Sequence, residues 1–183
     1  AEVTFFGNKL LREQIASLKI IRKYNFIELK NTRRIKSRIQ LIFEGLRRNF
    51  QALFYIQQIK NRFDIIYSIS SVLDLMLFPY ILQKFDKKIL RVAVFDNIVP
   101  ITDPGNRVMR FLAWLFFQIS LILLKDVDQI YTGSKYLEDF LIQKGIDKNK
   151  IIERGQAVRN DMIKKARANP QYNIDALFVG RIN

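Results

Sequence analysis

The chain has 183 residues, 49% of them hydrophobic, and a formal net charge of +14. That is room for one ordinary domain and the start of a second, with enough apolar side chain for a core, which excludes a largely disordered chain. With neither cysteine nor histidine, disulfides, thiolate catalysis, histidine-based triads and the usual zinc sites are excluded as well.

The charge calls for an anionic partner: a membrane surface, nucleic acid or phosphorylated ligands. The amino end reads as a strand over residues 3–6 running into a turn, with no signal-peptide pattern. Residues 8–22 are predicted helical and residues 26–29 form a short strand. A long amphipathic helix follows over residues 33–59, with Ile35, Ile39, Ile42, Leu46, Leu53 and Ile56 on one face by their three- and four-residue spacing. Gly45 is the place where it would weaken or divide. Residues 65–70 (IIYSIS) read as a strand buried on both faces. Residues 72–85 are helical, with Pro79 a candidate kink.

The strand over residues 89–95 delivers Asp96 and Asn97 at its carboxyl end. A loop with Pro100, Pro104 and Gly105 leads to a helix over residues 107–124. Its apolar core, residues 111–124, is about 14 residues long against the roughly 20 that a transmembrane helix needs, so it reads as internal or interfacial. Trp114, Phe116 and Phe117 read as core aromatics. After a strand at 129–132, Ser134 caps a helix over residues 135–144 that Gly145 stops. A strand over residues 150–153 ends at Gly155, which supplies a turn. A last helix opens at Asn160 or Asp161, and a last strand, 176–179, ends in Gly180-Arg181. Strands alternating with helices imply an α/β, Rossmann-like parallel sheet with helices on both faces.

Three segments carry a family resemblance: RVAVFDNIVP at 91–100, DQIYTGSKYLEDFLIQKGIDKNKIIERG at 128–155, and IDALFVGRIN at 174–183. In this order they resemble the retaining GT-B glycosyltransferases of family 4. The first matches an apolar strand, an aspartate and a later proline. The second matches the strand–Ser–helix–Gly-Ile–strand–Gly passage through Ser134, Gly145 and Gly155. The third looks like the opening strand of the donor domain. The resemblance implies that residues 1–172 are the acceptor-side domain, lacking its first strand, and that residues 173–183 begin a donor-binding domain. It further implies transfer of a sugar from a nucleotide-sugar donor to a glycan or lipid-linked acceptor, with retention and with neither metal nor cofactor. Residues 1–183 alone would then be inactive.

Each candidate residue has a plainer reading beside the functional one. Asp96 stands where open α/β sheets place their ligands, a catalytic position by resemblance, but a loop aspartate also caps its own turn. The family pattern has a histidine just before it, and here that residue is Phe95. Asn97, Gly133 and Ser134 are acceptor-binding candidates, Ser134 being also an ordinary N-cap at a helix end that favours phosphate. Gly180 and Arg181 match the family's donor-diphosphate site, a role that suits a permanently charged, two-pronged guanidinium.

Arg33, Arg34, Lys36, Arg38, Arg47 and Arg48 lie mostly opposite the Ile35–Ile39–Ile42–Leu46 stripe, with only Glu44 as a counter-charge in the segment. A solvated charged face is the common explanation. A basic amphipathic helix on an anionic membrane surface is the functional one, and it implies a cytoplasmic protein, peripheral at the inner face. A nucleic-acid-binding α/β domain is the rival reading, which the charge suits but no recognisable nucleic-acid motif supports. A non-catalytic sugar-binding protein of GT-B shape is the third.

Overall fold

The structure, a computed structural model, describes residues 3–18, 23–29, 38–101 and 106–154. Strand β1 (Thr4–Gly7), helix α1 (Lys9–Leu18) and strand β2 (Asn25–Glu28) form a first crossover unit, in which β1 and β2 pair in parallel with Phe5 opposite Phe26. Helix α2 (Arg38–Leu53) and the single turn α3 (Ile56–Ile59) lead to β3 (Ile65–Ser68). Three further crossovers follow: α4 (Leu73–Phe85) to β4 (Leu90–Phe95), α5 (Arg107–Lys125) to β5 (Gln129–Thr132), and α6 (Lys135–Gln143) to β6 (Ile151–Glu153). All pairings are parallel, and the fold is α/β of the Rossmann-like class.

The sheet is divided where a single one was expected. β1 and β2 form a pair, and β3, β4, β5 and β6 form a four-stranded sheet in chain order. Phe6 of β1 stacks on Phe78 of α4 at 5.1 Å and meets Tyr55 edge-on at 5.8 Å. Within the larger sheet every crossover advances in the same direction. Connections of one hand then deliver their helices to one face. That face carries Ala93, Phe95 and Ile130, which share a buried cluster with Met76 of α4, Phe117, Leu121 and Leu124 of α5, and Leu141 of α6. A second cluster gathers Ala52, Ile56, Ile59, Phe78, Leu82 and Ile89 beneath the smaller sheet.

The sequence reading is corrected in three places. β3 is not buried on both faces, because Ile65 and Tyr67 project from the side opposite the helices and are exposed. Gly45 does not divide the long helix, which runs unbroken past it and ends at a turn through Phe54 and Tyr55. α5 has 19 residues, more than its apolar run suggested, and by length and composition alone it is sufficient to cross a membrane, though its inner side belongs to the core.

The structure also shows which face of α2 is buried. Glu44, Gly45, Asn49 and Ala52 turn inward; of the aliphatic stripe, Ile56 is buried and Leu53 packs beside it, Ile42 is half-buried and Leu46 is exposed. Gly45 lets α2 approach α4 so closely that a Cβ there would lie 3.0 Å from the Cβ of Asp74. Asn49 Nδ2 donates to the carbonyls of Gly45 and Asp74, both at 2.9 Å. Arg48 pairs with the Asp74 carboxylate at 2.9 Å. Burial still raises the Asp74 pKa, outweighing the attraction of Arg48 and the backbone hydrogen bond that lower it.

Candidate functional site

The alternation of β4 decides which way its last residues point. Phe95 is fully buried and stacks against Phe140 of α6 at 5.9 Å and Phe117 of α5 at 6.3 Å. Its successor, Asp96, leaves the strand end exposed to solvent, as does Asn97. Position 95 therefore faces the core, and the family histidine has no counterpart there within reach of solvent.

Asp96 has a partner that sequence reasoning missed. Ser70, in the loop after β3, donates its hydroxyl to the two carboxylate oxygens at 3.0 and 3.2 Å. The pairing of Ser68 with Ala93 brings the ends of β3 and β4 to the same edge. The buried Ser68 fixes the loop from below, its hydroxyl donating to the carbonyl of Leu75 at 3.1 Å. The run Ser68-Ile69-Ser70-Ser71 was the available signal, but its meaning depends on the register between two strands.

On the other flank, Phe95 pairs with Thr132, so Gly133 and Ser134 leave β5 at the same edge as Asp96 and Asn97. Ser134 is an N-cap: its hydroxyl accepts from the amide of Leu137 at 3.4 Å. The helix end is not an open anion site, since Glu138 occupies its first turn. Lys135 is held by Glu138 at 3.0 Å and Asp139 at 2.9 Å, and the hydrogen bonds to Asp139 and Glu138 raise its pKa. Behind the helix, Gly145 adopts φ 78° and lets the Ile146 amide reach back to the carbonyl of Leu141.

A second group missed by the sequence reading lies on the sheet face away from the helices. Tyr131 carries the Arg154 guanidinium over its ring at 4.6 Å. Tyr67, on the same face of β3, has its pKa raised by burial and by Tyr131 and lowered by Arg154. This is a phenol–guanidinium shelf, able to stack on a ring and to meet an anion. Among the described residues no group of three or more acidic side chains is gathered to hold a metal ion.

Of the membrane candidates, Arg47 binds Glu44 at 2.7 Å, and Arg48 turns into α4 rather than standing on an outer basic face. Arg33, Arg34 and Lys36, the Arg38 side chain, Gly155, and Gly180 with Arg181 lie outside what the structure describes. Neither a protein-family model nor a curated protein matches this chain.

Proposed function

We propose that this chain is the acceptor-side part of a GT-B glycosyltransferase, which transfers a sugar with retention from a nucleotide-sugar donor to a lipid-linked acceptor. The observation that carries the reading is the Ser70–Asp96 pair at the carboxyl edge of a parallel sheet, the edge where open α/β folds hold ligands. A carboxylate fixed by a neighbouring hydroxyl can accept a hydrogen bond from an acceptor hydroxyl and hold it in line for transfer. The Tyr67–Tyr131–Arg154 shelf supports the reading, since it offers an aromatic face and a cation to a sugar or a phosphate. Arg181, in the segment resembling the donor lobe, would stabilise charge on the departing diphosphate. The site is at an anionic membrane surface on the cytoplasmic side, drawn there by the basic residues.

Asp96→Ala in the full-length protein should reduce transfer by about 10²-fold, the order of one positioned polar group at a reacting centre, with donor binding unchanged. Arg181→Ala should instead weaken donor binding or slow release of diphosphate. Wild-type rates in both variants, or transfer by residues 1–183 alone, would remove the two-lobe assignment.

A further inference from the structure

Strands β4, β5 and β6 end side by side, and their register sets the next residues in a row. Phe95 pairs with Thr132 and Thr132 with Glu153, so Asp96, Gly133 and Arg154 each stand one residue beyond a paired one. Side chains alternate between the two faces along a strand. Phe95 and Ile130 point into the core on the helix side, which turns Asp96 and Tyr131 toward the opposite face. There the Arg154 guanidinium lies over the Tyr131 ring at 4.6 Å. Asp96 belongs to the second strand over, about 10 Å away between main chains at two strand spacings. Gly133, between them in the row, puts no side chain into the gap. The two opposite charges are exposed and do not meet. Among the described residues Asp96 accepts only from Ser70, and Arg154 has no carboxylate partner.

We propose that Arg154, Tyr131 and Asp96 form a subsite for a sugar that already carries a phosphate. The guanidinium holds the phosphate, the Tyr131 ring lies under the apolar face of the sugar, and the carboxylate, fixed by Ser70, accepts from a sugar hydroxyl. Each part follows from the chemistry of the group it meets. A guanidinium presents parallel N–H donors to phosphate oxygens and stays charged at neutral pH. An aromatic ring is a platform on which the C–H face of a pyranose packs. An ionised carboxylate only accepts hydrogen bonds, so it selects a hydroxyl and repels a second anion. That repulsion favours a phosphate over a carboxylate on the sugar ring. An ester-linked phosphate stands further from the ring than the carboxylate of a uronic acid does. Its charge therefore sits on Arg154 while a neutral hydroxyl faces Asp96. The proposal rests on the reading of this chain as the acceptor side, and it names the acceptor as a sugar phosphate, whether free or esterified to a lipid.

The test uses the full chain at low salt with no donor present, read by calorimetry and by saturation-transfer NMR with irradiation of the aromatic protons. The probes are the 1- and 6-phosphates of glucose, galactose, mannose and N-acetylglucosamine, the same sugars without phosphate, glucuronate, and inorganic phosphate. One or more sugar phosphates should bind about tenfold more tightly than the parent sugar and than inorganic phosphate, the scale of a hydrogen bond to a charged group. Arg154→Gln should remove that preference and leave the weak binding of the parent sugar. Tyr131→Leu should abolish saturation transfer to the sugar C–H protons. Arg154 is exposed, so its variant should keep the wild-type circular dichroism even if Tyr131→Leu does not. A decyl ester of the bound phosphate that binds at least as well as the free form identifies a lipid-borne source, and weaker binding identifies a soluble one. No binding by any sugar phosphate, equal binding by glucuronate or by phosphate alone, or binding that Arg154→Gln leaves intact overturns the subsite. Should that happen while Asp96→Ala still abolishes transfer in the full-length protein, the acceptor-side reading stands with a different acceptor.

Discussion

Phe95 occupies a position where the resembling family writes histidine, and its surroundings make the difference chemical. Two phenyl rings stack against it and none of its surface is exposed. An imidazole there would have no water to exchange protons with and would be held neutral by burial. Phe95→His should therefore cost about 2–4 kcal/mol at pH 8, as lost apolar packing and an imidazole without hydrogen-bond partners. The loss should deepen in acid. Burial depresses the folded-state pKa of the introduced histidine below its unfolded value of about 6.5, so the unfolded chain binds the extra proton first. Stability is then retained above that value and lost as pH falls through and below it. Urea denaturation of both proteins at pH 8 and pH 5.5 measures this. An equal destabilisation at both values would mean that the residue reaches solvent and that the site beside Asp96 extends to it.

At the scale of elements, α2 separates what the sequence displays from what it conceals. Periodicity identifies the helix and its aliphatic stripe, because the three- and four-residue spacing is local. It cannot say which side is buried, because that depends on Asp74, a residue of another helix that arrives through Arg48 and Asn49. The strands were legible for the same local reason, as short β-branched and aromatic runs between turn residues. The division into two sheets was not, since strand pairing is a long-range choice. The site follows suit: Asp96 and Ser134 could be recognised as strand-end residues, while Ser70 gains meaning only from the register of β3 on β4. Two substitutions test the orientation of α2 against ordinary expectation. Gly45→Leu improves helix propensity by nearly 1 kcal/mol, yet the space toward Asp74 is already closed. It should destabilise the protein by about 2–3 kcal/mol through overpacking. Phe50→Ser removes a large aromatic ring from an exposed site and should change stability by less than about 0.5 kcal/mol. A neutral Gly45→Leu beside a strongly destabilising Phe50→Ser would mean that α2 is turned the other way.

The molecule as a whole carries 31 lysines and arginines against 17 acidic residues. Such an excess acts on the folded state through self-repulsion, which compaction increases. Opposing it are ion pairs such as Lys9–Glu13 and Lys84–Asp126, which are exposed and individually contribute little. The partly buried Arg48–Asp74 pair lies too close for salt to weaken much. Repulsion between cations spread over the surface is different, because the screening length falls from about 30 Å at 0.01 M salt to about 8 Å at 0.15 M. Adding salt should thus relieve more repulsion than it removes attraction, and the protein should become more stable. For a chain of this size 1 kcal/mol corresponds to about 2–4 °C in melting temperature, so a rise of about 2–5 °C is expected between those two salt concentrations. Sodium chloride is the appropriate salt, since sulfate would add stabilisation by exclusion from apolar surface. A fall in melting temperature over the same range would show that attractive pairs dominate, and that the excess positive charge is locally compensated instead of being held available for an anionic surface.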